Sequence, residues 1–525
     1  MTDQGSGSFD PVRERWVRWA PPALLVTLTL AAFMPTLQNG FVAWDDLDNF
    51  TLNQNYRGLG WPQIKWMFTT AKLGHYIPVT WITLGLDYVL WGMRPAGYHL
   101  TSLLIHAGVA VALYFLALRL FALARPAARP LDLRVGALLA ALVFAVHPFR
   151  VESVAWITER RDVVSGLFYI LTVLAYLKAV AGQERLRPGW YAASLGLFAA
   201  ALLSKSIVVT LPAALVILDV YPLRRLGGER GWLRWRVWLE KLPYLTLSAI
   251  TTMVAFMALF TLQNTRTLEH MSVLHRIVLS VYGLTFYLVK TALPLELAPL
   301  YELAVVFVPW WYFAFVLAAL VVCVVFRRRW PALAAAGAMY IVTLAPVLGT
   351  LQNGPQAVAD RYTYLACLGW ALLLGAAAAG GWAGSNVARG VLAVWILALL
   401  PLTWQQVHIW HDPVTMWQYD VTVYPNARAG NYNLAAAYEN AGRYPEAIVH
   451  YQEIQRLSVR KAQWYVPMGE VYEKAKVYRL AIESFREALR LDPDLSKPAC
   501  AGLMRIRERS SLKFTLPPAC QGARF

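Results

Sequence analysis

The sequence predicts an all-α protein in two parts: a polytopic membrane helical bundle and a C-terminal helical-repeat arm. Three observations carry this. The chain has 525 residues, 58% hydrophobic and only 15% charged, against about 25% charged in soluble domains. Long apolar segments recur up to about residue 410, at the length expected of membrane spans. Beyond that point the chain turns polar, and Tyr438, Gly442, Tyr444, Ala447 and Tyr451 recur as Tyr472, Lys476, Tyr478, Ala481 and Phe485.

The membrane part is expected over 1–410. Arg13, Arg15 and Arg18 precede an apolar run from Ala20 to about Leu37 with no small-residue cleavage site after it, which reads as an uncleaved first span with a cytoplasmic N-terminus. The stretch 38–97 is far longer than an ordinary connection. Its Trp44, Trp61, Trp66, Phe68, Tyr76, Trp81 and Trp91 predict a folded element packed on the membrane face. Further spans are expected near 98–121, 135–149, 163–180, 191–204, 206–220, 242–262, 309–326, 331–350, 363–380 and 390–406. Arginine clusters such as Arg125-Arg129-Arg134 and Arg327-Arg328-Arg329 place 122–134, 181–190, 221–241, 327–330 and 381–389 in the cytoplasm. The loops holding 38–97, 147–162, 204–206, 263–272 and 351–362 then lie outside. Ser272–Leu293 is apolar enough to span, yet a single crossing would invert the basic loop at 327–329. It either crosses and returns through 294–308 or lies in the interface. The count stays odd, about 11, and places the C-terminal arm on the side of the large first loop.

The arm is expected over 411–525. The roughly 34-residue period is that of a tetratricopeptide repeat (TPR), with repeats at about 428–461 and 462–495. Two repeats are too few to stand alone, so 404–425 and the tail after 496 are expected to cap them. Cys323 and Cys367 read as core thiols. Cys500 and Cys520 are free to form a disulfide if the arm is outside the cytoplasm. The formal net charge of +17 falls mostly between spans, where orientation explains it. No basic groove is interleaved with aromatics, which argues against nucleic acid, and no Cys/His cluster has zinc spacing.

Five polar constellations stand out, all on the predicted outer side. Asp45-Asp46 sit among Phe41, Trp44 and Phe50. Carboxylates at a membrane surface need a reason; one is to take a proton from a hydroxyl nucleophile, and solvation at a loop start is the other. The stretch 147–162 holds His147, Arg150, Glu152, Trp156, Glu159, Arg160, Arg161 and Asp162. On a helix beginning near Pro148, Glu152, Trp156 and Arg160 would share a face. Lys205 stands alone between two short spans, suited to an anionic headgroup or to simple snorkelling at the interface. Arg361, in Asp360-Arg361-Tyr362-Thr363-Tyr364, suits a phosphate with its forked donors, or forms an interfacial belt with the tyrosines. His75-Tyr76-Ile77-Pro78-Val79-Thr80 closes the set. Acidic residues on one loop and cations on others suit a phosphate-bearing lipid donor and a hydroxyl acceptor.

The Trp-Asp-Asp first loop, Tyr76-x-Pro-x-Thr80, His147-Pro…Glu-x-Val-Ala-Trp-Ile…Arg-x-Asp162, Asp360-Arg-Tyr-x-Tyr-Leu365 and the trailing repeats together resemble the transmembrane-and-TPR-containing family. Its members are O-mannosyltransferases of the glycosyltransferase-C superfamily. The similarity covers nearly the whole chain in order. It implies a glycosyltransferase-C fold, a polyprenyl-phosphate sugar as donor substrate with no cofactor, and an acceptor on the lumenal or periplasmic side. It also implies catalytic Asp45 and Asp46, and donor-phosphate contacts from Arg160, Arg161, Lys205 and Arg361. Tyr76, His147, Glu152, Trp156 and Tyr362 are the expected substrate contacts. No metal is implied, because a singly linked phosphate can be neutralised by basic side chains. The chain departs from the family at Glu159-Arg160-Arg161-Asp162, commonly Gly-Arg-Ala-Asp, and at Lys205-Ser206, commonly Lys-Glu, which leaves the donor sugar open.

The expected function is therefore transfer of a hexose, such as mannose, by inversion to a protein Ser/Thr or glycan hydroxyl that the TPRs present. The Arg/Ala/Leu-rich composition suggests a bacterial inner membrane. A non-enzymatic scaffold whose TPRs recruit periplasmic partners is the alternative. A transporter would need inverted repeats of broken helices, and no such symmetry is visible.

Overall fold

The computed structural model describes residues 11–181, 186–228, 231–261, 272–303, 307–349, 356–380, 385–457 and 462–521. The expected loop assignments at 181–190, 221–241, 263–272, 351–362 and 381–389 lie partly outside these residues, as do the side chains of Arg13, Arg15 and Arg18. Nearly everything described is helical; strand is limited to Tyr301–Glu302 and Gln356–Val358. The chain forms two compact units, one of Met1–Leu297 with Val308–His411, the other of Ala298–Phe307 with Asp412–Phe525.

The first unit is a polytopic membrane bundle. Among the described residues, six helices are long and apolar enough to cross a bilayer: Trp19–Gln38, Pro95–Ala124, Ile157–Ala179, Trp235–Ala258, Val273–Ala292 and Ser385–Ile409. Pro130–Ala145 with Pro148–Ala155, bent by 56°, makes a seventh. Ser206–Val220, Trp311–Val325, Pro331–Val347 and Leu368–Ala378 are apolar but shorter. At ~1.5 Å per residue these do not reach across ~30 Å of hydrocarbon as straight helices. Among the described residues, six or seven helices are thus full-length, with these four shorter apolar helices beside them, against an expected count of about 11 crossings. The apolar runs are interrupted where polar residues turn them, at Pro148 and again around Lys205. Whether the chain crosses at Ser272–Leu293 and returns through 294–308 or lies in the interface falls partly outside the described residues. Val273–Ala292 is one helix, and 293–300 has no regular structure.

Close packing of the bundle depends on small residues. A Cβ on Gly136 would sit 2.6 Å from Gly375 O and 2.5 Å from Ala379 Cβ, so Pro130–Ala145 and Leu368–Ala378 meet almost backbone to backbone. At one end of the bundle, buried Asp219 pairs with Lys241 (2.7 Å) and Arg225 (3.0 Å) and accepts from Tyr176 Oη. This network fastens the 221–241 connection to the helices around it.

The long first loop is folded. Helices Trp61–Thr69 and Pro78–Trp91 enclose an aromatic core of Phe50, Tyr56, Trp81 and Tyr98, closed by Ile157 from the membrane bundle. Trp66 packs edge-on against Trp81 at 5.2 Å.

The second unit holds two helical hairpins, Arg428–Asn440 with Tyr444–Leu457 and Tyr465–Lys474 with Tyr478–Leu491. Pro413–Val423 packs on the first hairpin and Ser496–Arg509 on the last. Gly469 and Gly502 are bare because the Phe485 ring fills the space a Cβ would need, at 2.7 and 2.3 Å. A disulfide joins Cys500 to Cys520. The segment 298–303 is clasped to this unit: Leu300 N donates to Asp420 Oδ1 and Ala429 N to Glu302 Oε2, both at 3.0 Å.

Candidate active site

The stretch 147–162 is not the single helix its four-residue spacing suggests. Pro148–Arg150 and Ile157–Glu159 are tight 3₁₀ turns around a short helix, Val151–Ala155, and Trp156 is extended (φ −96°, ψ 115°). Glu152, Trp156 and Arg160 therefore point in different directions. The break at Trp156 and Thr158 provides the seat for the first loop.

That seat separates the two aspartates. Asp46 is fully buried, and its carboxylate accepts from Thr158 N (3.1 Å), Thr158 Oγ1 (2.6 Å) and Val42 N (3.1 Å). Asn49 Nδ2 donates to the same Thr158 hydroxyl at 3.1 Å. Burial pushes the Asp46 carboxyl up to about 7 against the pull of these donors. Asp46 is a fastening, and it does not border the cavity described next.

Asp45 does. A cavity of about 460 Å³ is lined by Trp44, Asp45, His75, Tyr76, Trp156, Arg161, Lys205, Arg361 and Tyr362, with an apolar wall that includes Ile207, Val254, Phe256 and Val347. Trp44 and Trp156 stack at 4.6 Å with planes 9° apart, and Trp410 continues the stack at 5.7 Å. His75 reaches the cavity through a left-handed turn at Leu73 (φ 49°) and Gly74 (φ 76°). Lys205 is brought in because the turn before it is pinned to the first loop: Val79 N donates to Leu203 O (3.1 Å) and Thr80 Oγ1 to Ser204 O (3.0 Å).

The three cations converge on one carboxylate. Glu159, fully buried, accepts from Arg161 Nε (3.0 Å) and Nη2 (2.5 Å) and from Lys205 Nζ (2.8 Å), with Arg361 Nε at 3.3 Å. Lys205 also pairs with Asp162 at 2.7 Å. Arg361 is held by Glu152, which accepts from its backbone N–H (2.7 Å) and its guanidinium. The Arg361 guanidinium lies over the rings of Trp156 (5.5 Å) and Tyr362 (5.1 Å). Each cation is thus oriented in advance by a buried carboxylate and borders the cavity.

Burial pushes the Asp45 carboxyl above the usual carboxylate range, and Arg161 and Arg361 only partly offset this. Burial also holds His75 well below the ordinary imidazole value, Arg161 adding to the effect, so its ring is neutral. A raised carboxyl and three cations thus border the same cavity.

Three expected contacts are placed elsewhere. Arg160 is buried and turned away, its Nε donating to Ser102 Oγ (2.6 Å) and its Nη2 to Asp87 Oδ2 (2.7 Å) and Tyr98 O (2.6 Å), which joins helices. His147 donates from Nε2 to Thr291 O (3.0 Å), outside the cavity lining. Glu152 stands behind Arg361. Sequence reasoning gave no site role to Glu159 or Asp162 and named Trp44 only as an aromatic flank of the acidic pair; the Glu-Arg-Arg-Asp run carried the signal, because a carboxylate beside cations in an apolar setting needs partners.

No family model and no solved structure matches the chain. Curated relatives do. Human protein O-mannosyl-transferase TMTC4 is 32% identical over 155 residues, 28% of this chain and 21% of its own length. Drosophila melanogaster protein O-mannosyl-transferase Tmtc2 is 32% identical over 217 residues, 39% and 22% of the two lengths. Human protein O-mannosyl-transferase TMTC2 is 29% identical over 213 residues, 38% and 24%. The fold and the site define an all-α polytopic membrane protein with a cationic, aromatic-walled cavity. Over part of its length the chain is similar to these protein O-mannosyl-transferases, and it spans about a fifth of the length of those it matches.

Proposed function

We propose that this chain is a glycosyltransferase-C-type membrane enzyme that moves a hexose, mannose first among candidates, from a polyprenyl phosphate to a protein Ser/Thr or glycan hydroxyl. The observation that carries the reading is the meeting of Asp45 with Arg161, Lys205 and Arg361 around one cavity walled by Trp44 and Trp156. The acceptor oxygen attacks the anomeric carbon from the face opposite the phosphate and inverts it. Its proton passes to the Asp45 carboxylate. The carbon–oxygen bond to phosphate breaks with its electron pair on the phosphate, where the three cations hold the growing charge. With three fixed cations at the leaving group, no divalent metal is needed. Trp44 and Trp156 give the cavity an aromatic border against which a sugar ring can pack, and the apolar wall suits the first isoprene units.

In this reading the cavity opens to the periplasmic side of a bacterial inner membrane, the N-terminus is cytoplasmic and the TPR arm presents the acceptor. The Cys500–Cys520 disulfide supports an oxidising compartment for the arm. The test is transfer of labelled sugar from polyprenyl-phosphate mannose, and then from other polyprenyl-linked hexoses, by membranes containing the protein. Failure with every such donor would end the enzymatic reading.

A further inference from the structure

A second cavity, of about 110 Å³, lies among four helices of the first unit. Phe121, Ile217, Ala335, Met339 and Leu373 are among its walls, and the polar side chains on its lining are Arg125 and Tyr221. One water needs about 10–15 Å³, so the space would take several, yet walls this apolar give them almost nothing to bond. A stretch of hydrocarbon chain fits it better. The cavity reaches the surface at Arg125, which is exposed, and at Tyr221, which is half-buried. The apolar segments Ser206–Val220 and Pro331–Val347 border both this cavity and the larger one. Val209 and Val347 line the larger cavity; Ile217 and Met339 line this one, eight residues or roughly 12 Å away along each segment. The second cavity thus lies toward the other end of the bundle from Asp45.

That end is rich in arginine. Arg125 Nη1 donates to Ala376 O at 2.9 Å, and the charges of Arg125 and Arg224 both act on the Tyr221 phenol. Both arginines are exposed, and neither is in an ion pair among the described residues. Arg327–Arg329, also exposed, ends three residues before the lining residue Ala332. Trp232, Leu233, Trp235 and Trp238 are exposed together with Arg234 and Arg236. Lys241 fastens their segment to Asp219 at 2.7 Å, one residue from the lining residue Leu218. Exposed indoles mixed with arginines are the pattern of the lipid headgroup layer, so the mouth of the cavity opens at headgroup depth. Guanidinium groups at that mouth suit a phosphate, and the apolar space behind them suits its chain. We propose that this cavity binds an anionic phospholipid, with its phosphate at Arg125 and Arg224 and one acyl chain between Ser206–Val220 and Pro331–Val347. A chain so placed ties together two segments whose far ends border the larger cavity.

The test is thermal unfolding of the detergent-purified full chain as dioleoylphosphatidylglycerol or dioleoylphosphatidylcholine is added to the micelles at rising mole fraction. The expected result is a saturable rise in Tm with phosphatidylglycerol, well above any change with phosphatidylcholine. Arg125→Gln combined with Arg224→Gln removes the charged phosphate contacts, so half-saturation should need about tenfold more phosphatidylglycerol. Ala335→Leu fills the place of the chain and should weaken the response with both arginines intact. Equal Tm with the two lipids would overturn the proposal, and so would a phosphatidylglycerol effect unchanged in either variant. A larger rise from polyprenyl phosphate, lost in Ala335→Leu, would also overturn it and assign the cavity to that chain. The Arg224 side chain makes no hydrogen bond among the described residues, so Arg224→Gln alone decides the headgroup contact if the double variant does not fold.

Discussion

Glu159 touches no substrate in the proposed reaction, yet its replacement by Gln should be among the most damaging changes in the chain. Its carboxylate collects Arg161, Lys205 and Arg361 within 2.5–3.3 Å at zero exposure. Lys205 keeps Asp162 and Arg361 keeps Glu152 when it is gone. Arg161 has no second carboxylate among the described ion pairs, so it is the cation released. Breaking a buried pair by removing one partner costs about 3–5 kcal/mol, part of which shows as lower stability. The rest falls on the phosphate clamp: losing one charge-assisted hydrogen bond of about 1.5–3 kcal/mol lowers kcat/KM for the donor roughly 10- to 150-fold. The assay is initial-rate transfer at varied polyprenyl-phosphate mannose, at matched expression and with Tm measured in parallel. Glu159→Asp should recover part of the activity, since the charge is restored one methylene short. Wild-type kcat/KM in Glu159→Gln would refute the idea that this carboxylate sets the cation array.

Other expectations follow from the same geometry. Asp45, with its carboxyl raised by burial, must be ionised to act as base; kcat should therefore rise with pH through a value above the ordinary carboxylate range and level off beyond it. Asp420 is raised to about 7 by burial, and its Oδ2 has no hydrogen-bond partner. The folded arm therefore holds that proton more tightly than the unfolded chain does, and wild-type stability should fall as pH rises from about 4 to about 7. Asp420→Asn should flatten that window in thermal unfolding. Gly136→Ala would press a methyl against Gly375 O at 2.6 Å and should cost about 1–3 kcal/mol, read as a lower Tm. Peptide mapping without reductant should recover Cys500 linked to Cys520 from native membranes; free thiols there would contradict a periplasmic arm.

Much of this architecture was legible because it rests on local signals. Spans declare themselves by apolar length, and the repeats by the spacing of Tyr438 and Tyr472. The segments that meet at the cavity could be named because ionisable residues are conspicuous among apolar neighbours. What could not be read was direction. Arg160 and Arg161 are adjacent in sequence, yet one joins three helices and the other faces the cavity. Both open one helix, where consecutive side chains diverge by about 100°, and the sequence does not say which of the two faces the cavity. Asp45 and Asp46 divide in the same way, because a single hydroxyl, Thr158, captures one of them from more than a hundred residues away.

That division gives the most direct test of the central claim, that the cavity at Asp45 is a glycosyl-transfer site. Transfer from polyprenyl-phosphate mannose would be measured in membranes carrying wild type, Asp45→Asn or Asp46→Asn at matched levels. The account predicts a loss of about 10²-fold or more in Asp45→Asn, the range of a missing general base. It predicts retention within about tenfold in Asp46→Asn, whose amide oxygen still accepts from Thr158, with a lower Tm from the unmet Val42 N–H. Transfer in Asp45→Asn equal to wild type would contradict the account. A wild type silent with every polyprenyl-linked hexose would leave the recruiting scaffold as the better description.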